Sequence, residues 1–167
     1  GFVLSFISFT LLVGLCGEIL KLVPLLWHYR RPRWVLDWRG ACLWGLASGL
    51  GFGVSEGILY GSDFHNGVAP GDAYLVCHVC SVAFHAVCTA AAGVTMWRNQ
   101  RDFQGDRAWS DLARVVLNAV AVPLILRGLY DTLLRQGGQP WALAGALACA
   151  LAGFGWLAFQ IEQARRR

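Results

Sequence analysis

Charge is what this chain is short of. Only 14 % of its 167 residues are Asp, Glu, Lys or Arg, against about 25 % in an ordinary water-soluble domain. Lys21 is the single lysine. A chain of this length has too much surface for its volume to hide the 56 % of hydrophobic residues it carries. The deficit excludes a soluble enzyme, a disordered chain and a nucleic-acid binder. Also missing are an internal repeat, a low-complexity tract and a cleavable leader with a basic start and a small-residue cleavage site.

What is present is apolar, with a mean hydropathy of +0.49. A spanning helix needs about 20 mostly apolar residues, and five stretches qualify: 1–27, 40–60, 73–97, 112–134 and 141–161. The expectation is an all-α fold, a polytopic transmembrane helix bundle with about five spanning helices, making one integral membrane domain over 1–167. The chain opens with Gly1 inside a hydrophobic run, so the expectation is also a segment of a longer protein. Cys16, Cys42, Cys77, Cys80, Cys88 and Cys149 all sit inside apolar stretches. There they read as small hydrophobes rather than as a disulfide framework.

The few basic residues are not spread evenly. Segment 28–39 carries Arg30, Arg31, Arg33 and Arg39, whereas 61–72 carries Asp63 and Asp72 and no Lys or Arg. Segment 98–111 again holds Arg98, Arg101 and Arg107, segment 135–140 holds one Arg, and the tail ends Arg165-Arg166-Arg167. By the positive-inside rule the first and third connections and the C-terminus are cytoplasmic, and the second and fourth face outward. Trp27, Trp34, Trp38, Trp97, Trp109 and Trp141 fall near the interfaces this topology implies, where amphipathic rings prefer to sit. The lipid bilayer is thus the first partner.

Against this background, ionisable residues inside the apolar stretches stand out, because each costs about 2.5–3.5 kcal/mol near a helix centre. Glu18 and Lys21 lie in the first stretch, Glu56 in the second, His78 and His85 in the third, Arg127 and Asp131 in the fourth. Counting about 1.5 Å per residue places Glu18 and His85 near the midplane and Glu56 and Arg127 in the outer leaflet. Glu18 with Lys21 and Arg127 with Asp131 have the spacing to neutralise each other on one helix. Four helices bringing polar groups to one depth point instead to a shared site. Cys77-His78-Val79-Cys80 has the look of a metal hook but lacks two further ligands nearby, so packing is the simpler account. Gly45, Gly49 and Gly53 form a small-xxx-small ladder that reads as close helix packing.

These motifs resemble those of the PrsW family of intramembrane proteases. Gly17-Glu18-Ile19-Leu20-Lys21 resembles its EExxK motif, and Phe52-Gly53-Val54-Ser55-Glu56 its FxxxE motif. His85-Ala86-Val87-Cys88-Thr89 is similar to its HxxxT segment, and Leu126-Arg127-Gly128-Leu129-Tyr130-Asp131 to its LHGLYD segment. The four occur in the family's order across residues 17–131. Three positions depart: Gly17 replaces the first Glu of EExxK, Gly57 an Asn after FxxxE, and Arg127 the His of LHGLYD.

The resemblance implies a glutamate-dependent membrane protease, related to the CAAX-type prenyl-protein proteases and distantly to the non-proteolytic scaffold subunit of gamma-secretase. It also implies cleavage of membrane-anchored proteins such as single-span anti-sigma factors on the outer side of a bacterial cytoplasmic membrane. Peptide hydrolysis needs a base for water and donors for the oxyanion. On this reading Glu18 is the base, His85 orients the water or shuttles its proton, and Arg127 stabilises the oxyanion. Glu56 and Asp131 then hold Lys21, His85 or Arg127, and His85 can supply a third positive charge against three acids. No cofactor is expected. Zinc on Glu18, Glu56 and His85 is an alternative left open but not favoured. A pseudoprotease that binds helices without cutting, and a small transporter, are the competing functions.

Overall fold

The computed structural model describes residues 1–31, 34–63, 71–103, 109–134 and 140–167, the side chains at 9, 12, 13, 60–63, 71–77 and 109 excepted. Among them every regular element is helical: α1 (Phe2–Ser8), a π-helical turn (Phe9–Gly14), α2 (Leu15–Arg30), α3 (Trp38–Asp63), α4 (Gly71–Arg98), a short 3-10 helix (Gln100–Phe103), α5 (Trp109–Leu134) and α6 (Pro140–Arg165). Helices α3 to α6 each contain a window long and apolar enough to cross a membrane. The all-α bundle expected from the apolar stretches is therefore the fold. The side chains of Arg33, Asp63, Asp72, Cys77, Arg107, Trp109 and Arg135 lie outside the described residues.

The first stretch differs from the expectation. It is helical from 2 to 30, but the π turn divides it, so that none of its pieces reaches the 18 residues of an unbroken span. The division has a packing reason. In the π turn Thr10 sets its hydroxyl against Gly128 of α5, and a Cβ at Gly128 would overlap it. Further on, Pro24 removes a backbone donor from α2. One turn before it, the Ser48 hydroxyl of α3 donates to the Lys21 carbonyl at 2.6 Å and pins α2 to α3.

Helix α4 is the centre of the bundle. Its spanning window is 72 % buried, against 17 % for that of α6. The glycine ladder explains how α3 comes so close to it. A Cβ at Gly45 would sit 2.7 Å from the Cα of Ala90, one at Gly49 2.7 Å from the Cα of Ala86, and one at Gly53 2.9 Å from the Cα of Val82. The seam continues upward at Gly57, where a Cβ would overlap the His78 ring, and downward where Gly93 meets the Ala41 carbonyl. Every fourth residue of α3 is small, and the two backbones meet, as in small-xxx-small packing in lipid.

Apolar packing fills the rest. Leu22, Leu25, Met96, Phe103, Val116 and Val120 form one core between α2, α4 and α5. Phe84 stacks on Tyr130 at 5.0 Å between α4 and α5, with Ala146 of α6 completing that cluster. Cys16, Cys42, Cys80, Cys88 and Cys149 are free thiols. At one end of the bundle the Trp97 indole donates to the Leu36 carbonyl at 3.0 Å, Arg98 donates to Gln160 and Gln163, and Arg167 donates to the Arg98 carbonyl. Segments 34–39 and 98–103 and the tail thus gather at one end of the bundle.

Candidate active site

Six ionisable residues nominated from sequence lie on four helices, and the fold joins all six into one chain of hydrogen bonds. It starts on α2, where Lys21 Nζ donates to Glu18 Oε1 at 2.5 Å. The same ammonium reaches His85 Nδ1 on α4 at 2.6 Å. His85 Nε2 meets Glu56 Oε2 on α3 at 2.5 Å. Glu56 Oε2 also accepts from Arg127 Nη2 of α5 at 3.0 Å, and Arg127 Nε donates to Asp131 Oδ2 at 2.8 Å.

Each element contributes for a local reason. Glu18 and Lys21 are three residues apart and Arg127 and Asp131 four, so each pair shares a helix face. Glu56 comes within reach of His85 because Gly49 and Gly53 let α3 settle on the α4 backbone directly beside that histidine. Burial is severe: Glu18, Lys21 and His85 are each 2 % exposed. Glu56 and Asp131 keep 15 % and 20 % of their side chains open. The chain therefore runs from a sealed end at Glu18 to a partly open end at Glu56 and Asp131.

The donor inventory sets the proton positions. An ammonium has only donors, so Lys21 makes His85 Nδ1 an acceptor and leaves the ring proton on Nε2. His85 then donates to Glu56 and is neutral. Three carboxylates face two cations, and the third positive charge expected of His85 is not needed to make the bonds. Both contacts of Glu56 fall on Oε2, and among the described residues Oε1 takes none. Arg127 has five N–H donors. Among the described residues three are used, on Asp131, Ser81 and Glu56, and two find no partner.

One participant is absent from the sequence reading, and another enters it only as the first residue of the FxxxE-like motif. Ser81 accepts from Arg127 Nη1 at 3.0 Å. It lies four residues before His85, hence on the same face of α4, and that spacing is the signal that could have found it. Phe52 of α3 places its ring 4.7 Å from Lys21 Nζ and 5.4 Å from the His85 ring. Its edge also covers Gly17, where a Cβ would stand 3.2 Å from Phe52 Cζ. Thr89, one turn beyond His85, is fully buried, and its hydroxyl finds no partner among the described residues. His78 is not in the chain of bonds; its ring packs on Gly57.

A protein-family model described as PrsW family intramembrane metalloprotease matches residues 1–159. No curated protein and no solved structure matches. The description carries a metal, and in the arrangement of side chains here an ion would meet donors that are already bonded. Both His85 nitrogens are taken, and one oxygen of each carboxylate is held against a lysine or an arginine. A divalent ion would have to displace those cations and then sit beside them. With nearly the whole length matched, and with the buried chain of bonds built from the motif residues of four successive helices, the protein belongs to the PrsW family and is an integral membrane protein of the intramembrane protease type.

Proposed function

We propose that the protein is an intramembrane endopeptidase that hydrolyses membrane-anchored proteins, such as single-span regulators, near the outer leaflet of a bacterial cytoplasmic membrane. One observation carries the reading: among the described residues, Glu56 has an uncommitted carboxylate oxygen at the open end of an otherwise closed polar chain, beside an arginine with two donors that no described residue takes. The gathering of basic segments at the opposite end supports an outward site and a cytoplasmic C-terminus.

The roles differ from those the motifs suggest. Glu18 is sealed against Lys21, with His85 between it and the opening, which argues against a base there. Glu56 Oε1 takes a proton from water, and the hydroxide adds to the scissile carbonyl carbon. Arg127 holds the resulting oxyanion with its spare N–H groups. When the C–N bond breaks, Glu56 returns the proton to the departing amine. His85, oriented by Lys21 and Glu18, keeps Glu56 in place, and Asp131 and Ser81 hold the guanidinium. No step needs an ion.

The test is co-expression of the full-length protein with single-span substrates. Glu56→Gln should lower cleavage by about 10²–10⁴, the usual worth of a positioned base, in protein that still purifies folded. Cleavage that survives this change would remove Glu56 as the base. A scaffold reading has its own support: the Phe52 ring lies over Gly17, where the family places a second carboxylate. Wild-type protein that retains substrates on a column but never shortens them would favour it.

A further inference from the structure

At the Arg-rich end, far from the Glu56 carboxylate, α2 and α3 enclose a cavity of about 400 Å³. Its inner wall is aromatic. Trp34 and Trp44 lie 6.0 Å apart, and the His28 ring sits 5.0 Å from the first and 5.6 Å from the second. Its other wall is α2 itself, with Val23, Pro24 and Trp27. At the mouth stands Arg31, its Cζ 5.0 Å from the Trp27 ring.

Three features specify an occupant. The apolar lining is not closed off: Trp27 is 60 % exposed, Trp34 52 % and Val23 47 %, so the cavity opens sideways along the lipid-facing side of α2. The polar lining is cationic or donating, with Arg31 and His28 and no carboxylate. The one acid of segment 28–39, Asp37, is turned to the Gly40 N–H at 2.7 Å, while the segment carries four arginines. A ligand must therefore have an anionic head at the interface and a long apolar tail running into the bilayer.

We propose that this cavity binds an anionic phospholipid of the adjoining leaflet. The phosphate lies at Arg31 and His28, the glycerol region packs on Trp34 and Trp44, and one acyl chain follows Val23, Pro24 and Trp27. The site is separate from the proposed peptidase site and does not depend on its activity.

The experiment uses native mass spectrometry of the full-length protein in detergent, with phosphatidylglycerol or phosphatidylcholine added. Retention should favour phosphatidylglycerol. Arg31→Gln should lower that preference roughly fivefold, the worth of one arginine near an anionic surface, while Arg101→Gln, an exposed change elsewhere on the same face, should not. Trp34→Ala should weaken both lipids. Arg31 is exposed at the mouth, so the melting profile of Arg31→Gln should match wild type. Equal retention of the two lipids, or an unaltered preference in Arg31→Gln, would overturn the proposal. Displacement of the lipid by excess inorganic phosphate would do so too, by showing a plain phosphate site.

Discussion

Gly49 of α3 faces Ala86 of α4 so closely that a Cβ would lie 2.7 Å from the alanine Cα and 2.5 Å from the His85 carbonyl oxygen. The neighbours are backbone atoms and cannot step aside. Gly49→Ala should therefore push the helices apart, cost about 1–3 kcal/mol and loosen the His85–Glu56 bond. Gly51, with open space around it, is the control, and its change to Ala should gain about 0.4–1 kcal/mol. Thermal unfolding in detergent reads both.

Among the described residues, Lys21 is the only cation bonded to Glu18. Lys21→Met leaves a 2 % exposed carboxylate without its partner, a change that costs about 3–5 kcal/mol when a buried pair is broken on one side. Adding Glu18→Gln should restore most of the stability. Cleavage should stay low in both variants, because His85 has lost the donor that sets its tautomer. Recovery of activity together with stability in the double variant would show that Lys21 matters only to the fold.

The bonding of both His85 nitrogens and of one oxygen on each of the three carboxylates to neighbouring side chains bears on metal dependence. Cleavage by the purified protein should persist after treatment with strong chelators and should not rise with added zinc. Stoichiometric zinc, with activity lost on chelation and regained with zinc, would reverse the assignment.

Orientation can be tested in intact cells with single cysteines in a cysteine-free background. Cysteine at Ser62 or Gly138 should react with an impermeant thiol reagent added outside, and cysteine at Arg101 should not. Labelling at 101 with silence at 138 would turn the protein over and move the proposed site to the cytoplasmic half.

The six ionisable members of the site were legible because a polar group inside an apolar run is expensive, and helical spacing alone puts Glu18 beside Lys21 and Arg127 beside Asp131. The glycine ladder was legible as packing for a similar reason: only a close backbone approach calls for Gly at 45, 49 and 53. The order of the bonds was not. Whether His85 meets Glu18 or Glu56 depends on how far α2 and α4 are rotated about their own axes, and no spacing within one helix encodes that. Ser81 was missed because a serine is ordinary in a membrane helix until a guanidinium is seen against it, and the place of Phe52 in its motif does not say that its ring lies beside an ammonium. The break in the first stretch was hidden too, since its cause lies in Gly128 on another helix.

That break also separates two halves of one rod. A π turn holds one residue more than the α turn it replaces, so everything before it is rotated by roughly 100° relative to an unbroken α-helix. The face that α1 shows to lipid, with Phe2, Val3, Leu4 and Ile7 exposed, is consequently phased independently of the face on which α2 carries Glu18 and Lys21. Loss or gain of a single residue between 9 and 14 would turn the leading half like a key while the polar half stayed in its lock. The chain can thus change what it presents to its surroundings at one end without disturbing the protons at the other.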